Sequence, residues 1–133
     1  VIVLDTSALI AIAFGEPERE PFIGLILKDG AARIPSPVYV EATIVCEGRL
    51  GVVGRSLFDS LYSRIEALGA ATVAFDQVQA QLARDAFQRF GKGRHPAGLN
   101  FGDCMAYAVS KALKAPLLFK GEDFRATDVI PAV

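Results

Sequence analysis

The chain has 133 residues, 52% of them hydrophobic and 22% charged, and its 14 Lys and Arg against 15 Asp and Glu leave a formal net charge of −1. A single domain is the expectation at this length, and so high an apolar content excludes a disordered or low-complexity chain, because there is ample surface to bury against the ordering entropy. Near-neutral charge excludes a generally basic coat for nucleic-acid phosphates, though not a local patch.

Val1–Leu4 is a continuous apolar, β-branched run that stops at Asp5, short enough to form a central strand buried on both faces. Thr6 and Ser7 are good caps for a short apolar helix over Ala8–Phe14, which Gly15 and Pro17 punctuate. A second helix is expected from Glu18 to Lys28 and a second strand over Ala32–Ile34. Ser36-Pro37 supplies a cap followed by proline at the first helical position, for a helix running to Leu50. Leu57, Leu61, Ile65 and Leu68 fall at helical spacings and place another helix over Ser56–Leu68. A third strand over Ala71–Phe75 leads into an amphipathic helix over Gln77–Phe90. Gly91–Leu99 is a Gly-rich, basic loop; Gly102–Leu113 is helical, Leu117–Phe119 a fourth strand, and Val129-Ile130 a short fifth one. Strands alternating with helices indicate one α/β domain over residues 1–133, with a parallel sheet covered on both faces.

No apolar run approaches the roughly 20 residues that cross a bilayer. The start VIVLDTSAL has no basic stretch ahead of its apolar run, so a soluble, cytoplasmic protein is expected; with Met105 the only methionine, Val1 is expected to be the second encoded residue. Cys46 and Cys104 lie in apolar helical contexts and are expected to be buried free thiols. One histidine and no Cys-x-x-Cys leave no zinc pattern.

In open α/β sheets ligands sit beyond the carboxyl ends of the strands, so the acids near those ends are the candidates for chemistry. Asp5 follows the first strand directly and is either a helix cap or a site acid. Glu41 lies among Val38, Val40, Ala42, Ile44 and Val45, where a carboxylate is costly to bury without a cation; a surface position near the helix N-terminus is the alternative. Glu47, on a different side of that helix, is read as solvent-facing. Asp103, in Asn100-Phe101-Gly102-Asp103, fits a capping role, yet Gly102 removes a side chain beside the carboxylate and would let another backbone or a ligand approach. Glu122 and Asp123 follow the fourth strand. Carboxylates converging without histidine or cysteine would repel one another unless cations neutralised them, and oxygen-only sites suit Mg²⁺ or Mn²⁺. Such ions bind substrate phosphates and lower the pKa of a bound water, the chemistry of metal-dependent nucleases.

Four segments, VIVLDTSAL at Val1–Leu9, Ser36–Ala42 with its Glu-Ala pair, GRHPAGLNFGDCMAY at Gly93–Tyr107 and LLFKGEDF at Leu117–Phe124, resemble the PIN domain, and within it the VapC ribonuclease toxins of bacterial type II toxin–antitoxin pairs. The Asn-Phe-Gly-Asp-Cys segment with its lead-in is the most specific of these. The resemblance implies a three-layer α/β/α fold with a central parallel sheet of four to five strands. It implies that Asp5, Glu41 and Asp103 are the acidic residues of a Mg²⁺ site, with Asp5 and Asp103 as metal ligands and Mn²⁺ a substitute ion. Asp123 is implied as the fourth acid; because Gly121 occupies a position that carries an acid in many PIN domains, Glu122 remains an alternative for it. Thr6 or Ser7 would orient the acids. A homodimer, and neutralisation by a VapB-type antitoxin, are also implied.

Lys92 and Arg94 in the loop before Asn100, and Lys120 and Arg125 beside the fourth acid, are candidate RNA contacts, with solvated surface charge the alternative. His95 is read as loop structure or an RNA contact at most, and Tyr107 and Phe101 as core residues. The leading expectation is a Mg²⁺-dependent endoribonuclease in which a metal-activated water attacks phosphorus in line, leaving a 5′-phosphate and a 3′-hydroxyl. A PIN nuclease that processes RNA outside any toxin–antitoxin pair is the nearest alternative. A phospho-acceptor receiver-like module using Asp5, Asp76 and Lys120 is a more distant one.

Overall fold

The computed structural model describes all 133 residues. Four parallel strands, β1 (Val3–Leu4), β2 (Arg33–Pro35), β3 (Ala71–Val73) and β4 (Leu117–Leu118), form a sheet in the order β3-β2-β1-β4. Both residues of β1 are fully buried, as its apolar, uncharged sequence requires of a strand with a neighbour on each side. Six helices complete the chain: α1 (Thr6–Ala13), α2 (Arg19–Asp29), α3 (Ser36–Leu50), α4 (Val52–Glu66), α5 (Gln77–Phe90) and α6 (Phe101–Leu113). With right-handed crossovers, connections running from β1 towards β3 place α1–α4 on one face, and the return to β4 places α5 and α6 on the other. The result is the expected α/β/α sandwich. Chain order reverses between β1 and β4, and the carboxyl ends of those strands are therefore where a ligand cleft belongs.

The expected elements are present with some shifted ends. The first helix starts at Thr6 because Asp5, rather than Thr6 or Ser7, is its cap. Ser36 makes no capping hydrogen bond and is already helical, following Pro35. Helix α4 begins at Val52, four residues ahead of the apolar periodicity, because Val52 and Val53 are exposed and lie off that stripe. Gly51, at φ +64°, turns α3 directly into α4. Gly54 then lets the two helices touch through their backbones, since a Cβ there would stand 1.9 Å from the Cys46 carbonyl oxygen. The fifth strand is reduced to one parallel bridge between Leu117 and Pro131, held by Leu117 N–H to Ile130 O and Ala132 N–H to Leu117 O. Pro131 has no N–H to extend the ladder.

Cys46 and Cys104 are buried and unpaired, as expected. Tyr107 is buried, but Phe101 is 78% exposed, against the expectation that it joins the core. It is the first residue of α6, next to the capping residue Asn100, where no preceding turn of helix covers it. No helix is long and apolar enough to cross a membrane.

Candidate active site

Asp5 emerges from the end of β1 and is 3% exposed. Its Oδ2 accepts hydrogen bonds from the backbone N–H of Ser7 at 3.0 Å and from the Ser7 hydroxyl at 2.6 Å. The same hydroxyl oxygen accepts from the N–H of Lys120, which follows β4, at 3.0 Å. Ser7 thus ties the ends of the two strands at the switch point together. Asp5 Oδ1 is buried without any hydrogen-bond partner, an expensive condition for a carboxylate oxygen.

Glu41 reaches the same place from the second turn of α3. The Thr6 hydroxyl donates to its Oε1. Its other oxygen lies against the first turn of α6: a Cβ at Gly102 would stand 2.2 Å from Oε2. The glycine therefore makes room for a carboxylate to approach, and that carboxylate is Glu41.

Asp103 is held by a capping box. Asn100 Oδ1 accepts from Asp103 N–H at 2.8 Å, and Asp103 Oδ2 accepts from Asn100 N–H at 3.0 Å. Capping and site membership, which read as alternatives in the sequence, are compatible, because the cap occupies only one oxygen. All three acids repeat this pattern: one oxygen fixed by a neighbouring donor, the other without a protein donor.

Asp5, Glu41 and Asp103 line one open cleft of about 410 Å³, with Thr6, Ser7, Ile10, Glu16, Val45, Arg49, Asn100 and Lys120 completing its wall. The electrostatics follow from that convergence. Burial pushes the Asp5 carboxyl up to about 7, against the two Ser7 hydrogen bonds that favour its ionised form, and the charges of Asp103 and Glu41 add to the rise. Asp103 is raised as well, first by burial against its Asn100 hydrogen bond, then by the charges of Asp123 and Glu41. Three carboxyl groups gathered in this way, with no compensating cation between them, form a set that a hard cation would stabilise. No three His, Cys, Asp or Glu side chains stand at the mutual distances of a preassembled metal cage. The donor set nevertheless suits such an ion: it is all oxygen, and it includes the buried, partnerless Asp5 Oδ1.

The sequence profile of the PIN domain matches residues 2–130. Ribonuclease VapC of Mycolicibacterium smegmatis is 47% identical over 128 residues, spanning 96% of this chain and 97% of the relative. Ribonuclease VapC30 of Mycobacterium tuberculosis is 42% identical over 128 residues, spanning 96% of this chain and 95% of its own length. The chain belongs to the PIN-domain family, among the VapC proteins. Solved structures show the same fold at low identity. VapC20 of Mycobacterium tuberculosis, described as a sarcin-ricin loop cleaving toxin, superposes with a TM-score of 0.76 at 14% identity, over 98% of this chain and 97% of that one. VapBC2 of Rickettsia felis, bound to a DNA fragment from its promoter, superposes with a TM-score of 0.71 at 16% identity, over 98% and 96%.

In this PIN domain the remaining candidates are placed unevenly. Asp123 opens a 3₁₀ turn over Asp123–Ala126, is exposed, and does not line the cleft, yet its charge reaches Asp103. Glu122 is 87% exposed and lies 3.6 Å from Arg125, whose guanidinium also donates to the Val133 carbonyl. Lys120 lines the cleft, but its ammonium is 2.8 Å from Glu16 and 3.3 Å from Glu18. Lys92 and Arg94 are exposed on the Gly91–Leu99 loop, away from the cleft wall, with Arg94 over the Phe87 ring. His95 Nδ1 accepts from Ala97 N–H and its ring packs edge-on to Phe90, a loop-building role. Glu47 points away from the acids and pairs with Arg55.

The receiver-like arrangement is not formed: Asp76 caps α5 through its own capping box after the edge strand β3, and it has no part in the cleft of Asp5 and Lys120. Sequence reading missed two charged cleft residues, Glu16 and Arg49; for Glu16, just past the end of α1, no periodicity placed it there. For Arg49 the signal was present in the helical spacing of Glu41, Val45 and Arg49, which puts all three on one face of α3.

Proposed function

We propose that the protein is the toxin of a type II toxin–antitoxin pair, a Mg²⁺-dependent endoribonuclease that hydrolyses RNA phosphodiester bonds to a 5′-phosphate and a 3′-hydroxyl. The observation that carries this reading is the meeting of Asp5, Glu41 and Asp103 in one cleft at the switch point, each with an oxygen to spare. Similarity to proteins named as VapC ribonucleases supports the reaction class, and the likeness to a solved toxin–antitoxin complex supports a VapB-type antitoxin as partner.

In this reading Asp5 and Asp103 hold the ion directly, Glu41 completes the acidic set, and Asp123 acts from the rim through its charge on Asp103. Bound there, Mg²⁺, or Mn²⁺ in its place, supplies neutralising charge for the phosphodiester and lowers the pKa of the attacking water. The chain's own residues prepare the site. Ser7 fixes Asp5 and keeps it ionisable, Thr6 fixes Glu41, and Asn100 fixes Asp103, so that each carboxylate presents a defined free oxygen. Gly102 allows Glu41 and Asp103 to approach from different helices. Lys120 in the cleft wall and Arg125 beside Asp123 provide positive charge for the RNA backbone only on leaving their present acidic neighbours, and Lys92 and Arg94, on the loop that leads to Asn100, extend it beyond the cleft wall. The active toxin is a homodimer.

Incubation of the purified chain with single-stranded RNA tests the reaction. Cleavage is expected with Mg²⁺, is lost in EDTA, returns on adding excess Mg²⁺, and yields 5′ ends that a ligase accepts without kinase treatment. Undiminished cleavage in EDTA would overturn the metal-dependent reading. Co-expression with the product of the adjoining small reading frame should yield a complex that no longer cleaves.

A further inference from the structure

Two cations line the acidic cleft, and they are not equivalent. Lys120 is neutralised by Glu16 and Glu18. Arg49 has no carboxylate partner, and its guanidinium lies over the ring of Phe14, with Cζ 4.6 Å from the centroid. Phe14 is the capping residue at the end of α1 and is partly buried against the core, so the ring is a fixed platform. An arginine stacked in this way keeps its in-plane N–H donors free while its face is occupied. Arg49 also stands in a defined relation to the acids: two helical turns beyond Glu41 on the same face of α3, about 12 Å along the axis, with Val45 between them in the cleft wall.

We propose that Arg49, held flat against Phe14, binds a phosphate of single-stranded RNA further along the strand from the bond that lies at the acids. The planar fork matches two phosphate oxygens at once, and a strand placed with one phosphodiester at Asp5 and Asp103 and running along α3 meets Arg49 before leaving the cleft. This assignment rests on the ribonuclease reading for its substrate. It adds a residue that positions the strand and sets how much RNA the site grips.

The test measures RNA binding in an Asp103→Asn background, using a fluorescein-labelled random-sequence RNA of about 20 nucleotides, longer than a typical single-strand site. Adding Arg49→Gln should weaken binding about five- to tenfold and reduce the slope of log affinity against log salt by about 0.7, the contribution of one single-strand phosphate. Arg49→Lys retains the charge and therefore the slope, but loses affinity because an ammonium does not lie flat on the ring. Phe14→Leu should behave like Arg49→Lys. Unchanged affinity and slope in Arg49→Gln, with an unchanged melting temperature, overturns the proposal, and that is also the outcome if Arg49 serves a protein partner instead. Parallel cleavage assays with unsubstituted Asp103 separate the two readings. RNA that is bound through Arg49 but never cut refutes the ribonuclease reading alone, whereas RNA cut by the parent chain with normal binding by Arg49→Gln refutes only the Arg49 assignment. No RNA binding in the Asp103→Asn background overturns the Arg49 assignment.

Discussion

Helix α6 carries two carboxylate environments that solve the same problem in opposite ways. At its first turn Asp103 joins Asp5 and Glu41 in a cleft where acids face acids. One and two turns further on, Tyr107 and Lys111 meet Asp128: the Tyr107 hydroxyl donates to Asp128 Oδ1 at 2.7 Å, and Lys111 Nζ and Arg89 lie 3.2 and 3.7 Å from Oδ2. Partial burial there pushes Asp128 up, but the Tyr107 and Lys111 hydrogen bonds and the two positive charges outweigh it and hold the carboxyl below its ordinary value. Asp128 is compensated by its own chain and fastens the C-terminal tail to α5 and α6. The cleft acids, by contrast, each accept from a single neighbouring residue and have no cation at ion-pair distance, so their charges face one another rather than a partner.

The cleft acids are the positions most sensitive to substitution. Loss of a carboxylate that orients or holds an ion should exceed the 10- to 100-fold cost typical of a supporting residue, so Asp5→Asn and Asp103→Asn are each expected to lower RNA cleavage by more than about 100-fold while the circular dichroism spectrum is retained. Cleavage at the parent rate in either variant would remove the acids from the mechanism.

The same substitution at Asp5 should do the reverse to stability. A carboxyl raised to about 7 binds its proton more tightly folded than unfolded, so its contribution is favourable below the unfolded value near 4 and is lost as pH rises through 7. The cost at pH 8 is up to about 4 kcal/mol in the metal-free protein. Asp5→Asn should therefore raise the metal-free melting temperature at pH 8 and flatten its decline between pH 5 and 8. Excess Mg²⁺ should flatten the parent profile in the same way; identical pH profiles for parent and variant would show that the cleft imposes no such penalty.

Supporting residues come next. Ser7→Ala removes one of the two hydrogen bonds to Asp5 and the acceptor for Lys120 N–H, and a loss of about 10- to 100-fold in cleavage is expected. Gly102→Ala should displace the Glu41 carboxylate and lower cleavage comparably, with no stability loss beyond that contact, since alanine is favoured over glycine by about 1 kcal/mol within a helix.

The smallest effect belongs to the compensated acid. Asp128→Asn should destabilise by about 1 kcal/mol, because a half-exposed carboxylate is partly screened, and leave the cleavage rate of the folded protein unaltered. Because the Asp128 carboxyl is held low, its stabilisation is present above the ordinary carboxylate range and is lost as pH falls through its folded value, the reverse of Asp5. Urea titrations at pH 7 and pH 3 of parent and Asp128→Asn check both statements.

The sequence alone determined the class of fold, which is written in local chemistry, and nominated the acids, each of which had a structural alternative until the resemblance of the four segments to PIN domains singled out Asp5, Glu41 and Asp103. Short β-branched strands such as Val1–Leu4 announce a buried parallel sheet, and Asp5, Glu41 and Asp103 stand where strand ends and helix starts meet. Fourth-acid status, divided between Glu122 and Asp123, stayed open because both occupy the same short turn. What only the tertiary structure decided was how those residues share their bonds. That Gly102 makes room for Glu41, that Lys120 is spent on Glu16 and Glu18, and that Arg49 faces the cleft unpaired are all contacts between distant segments. Local preference specifies how a residue's own backbone turns; which charge meets which is fixed by packing α1, α3 and α6 around the end of β1, and no periodicity in one segment carries that information.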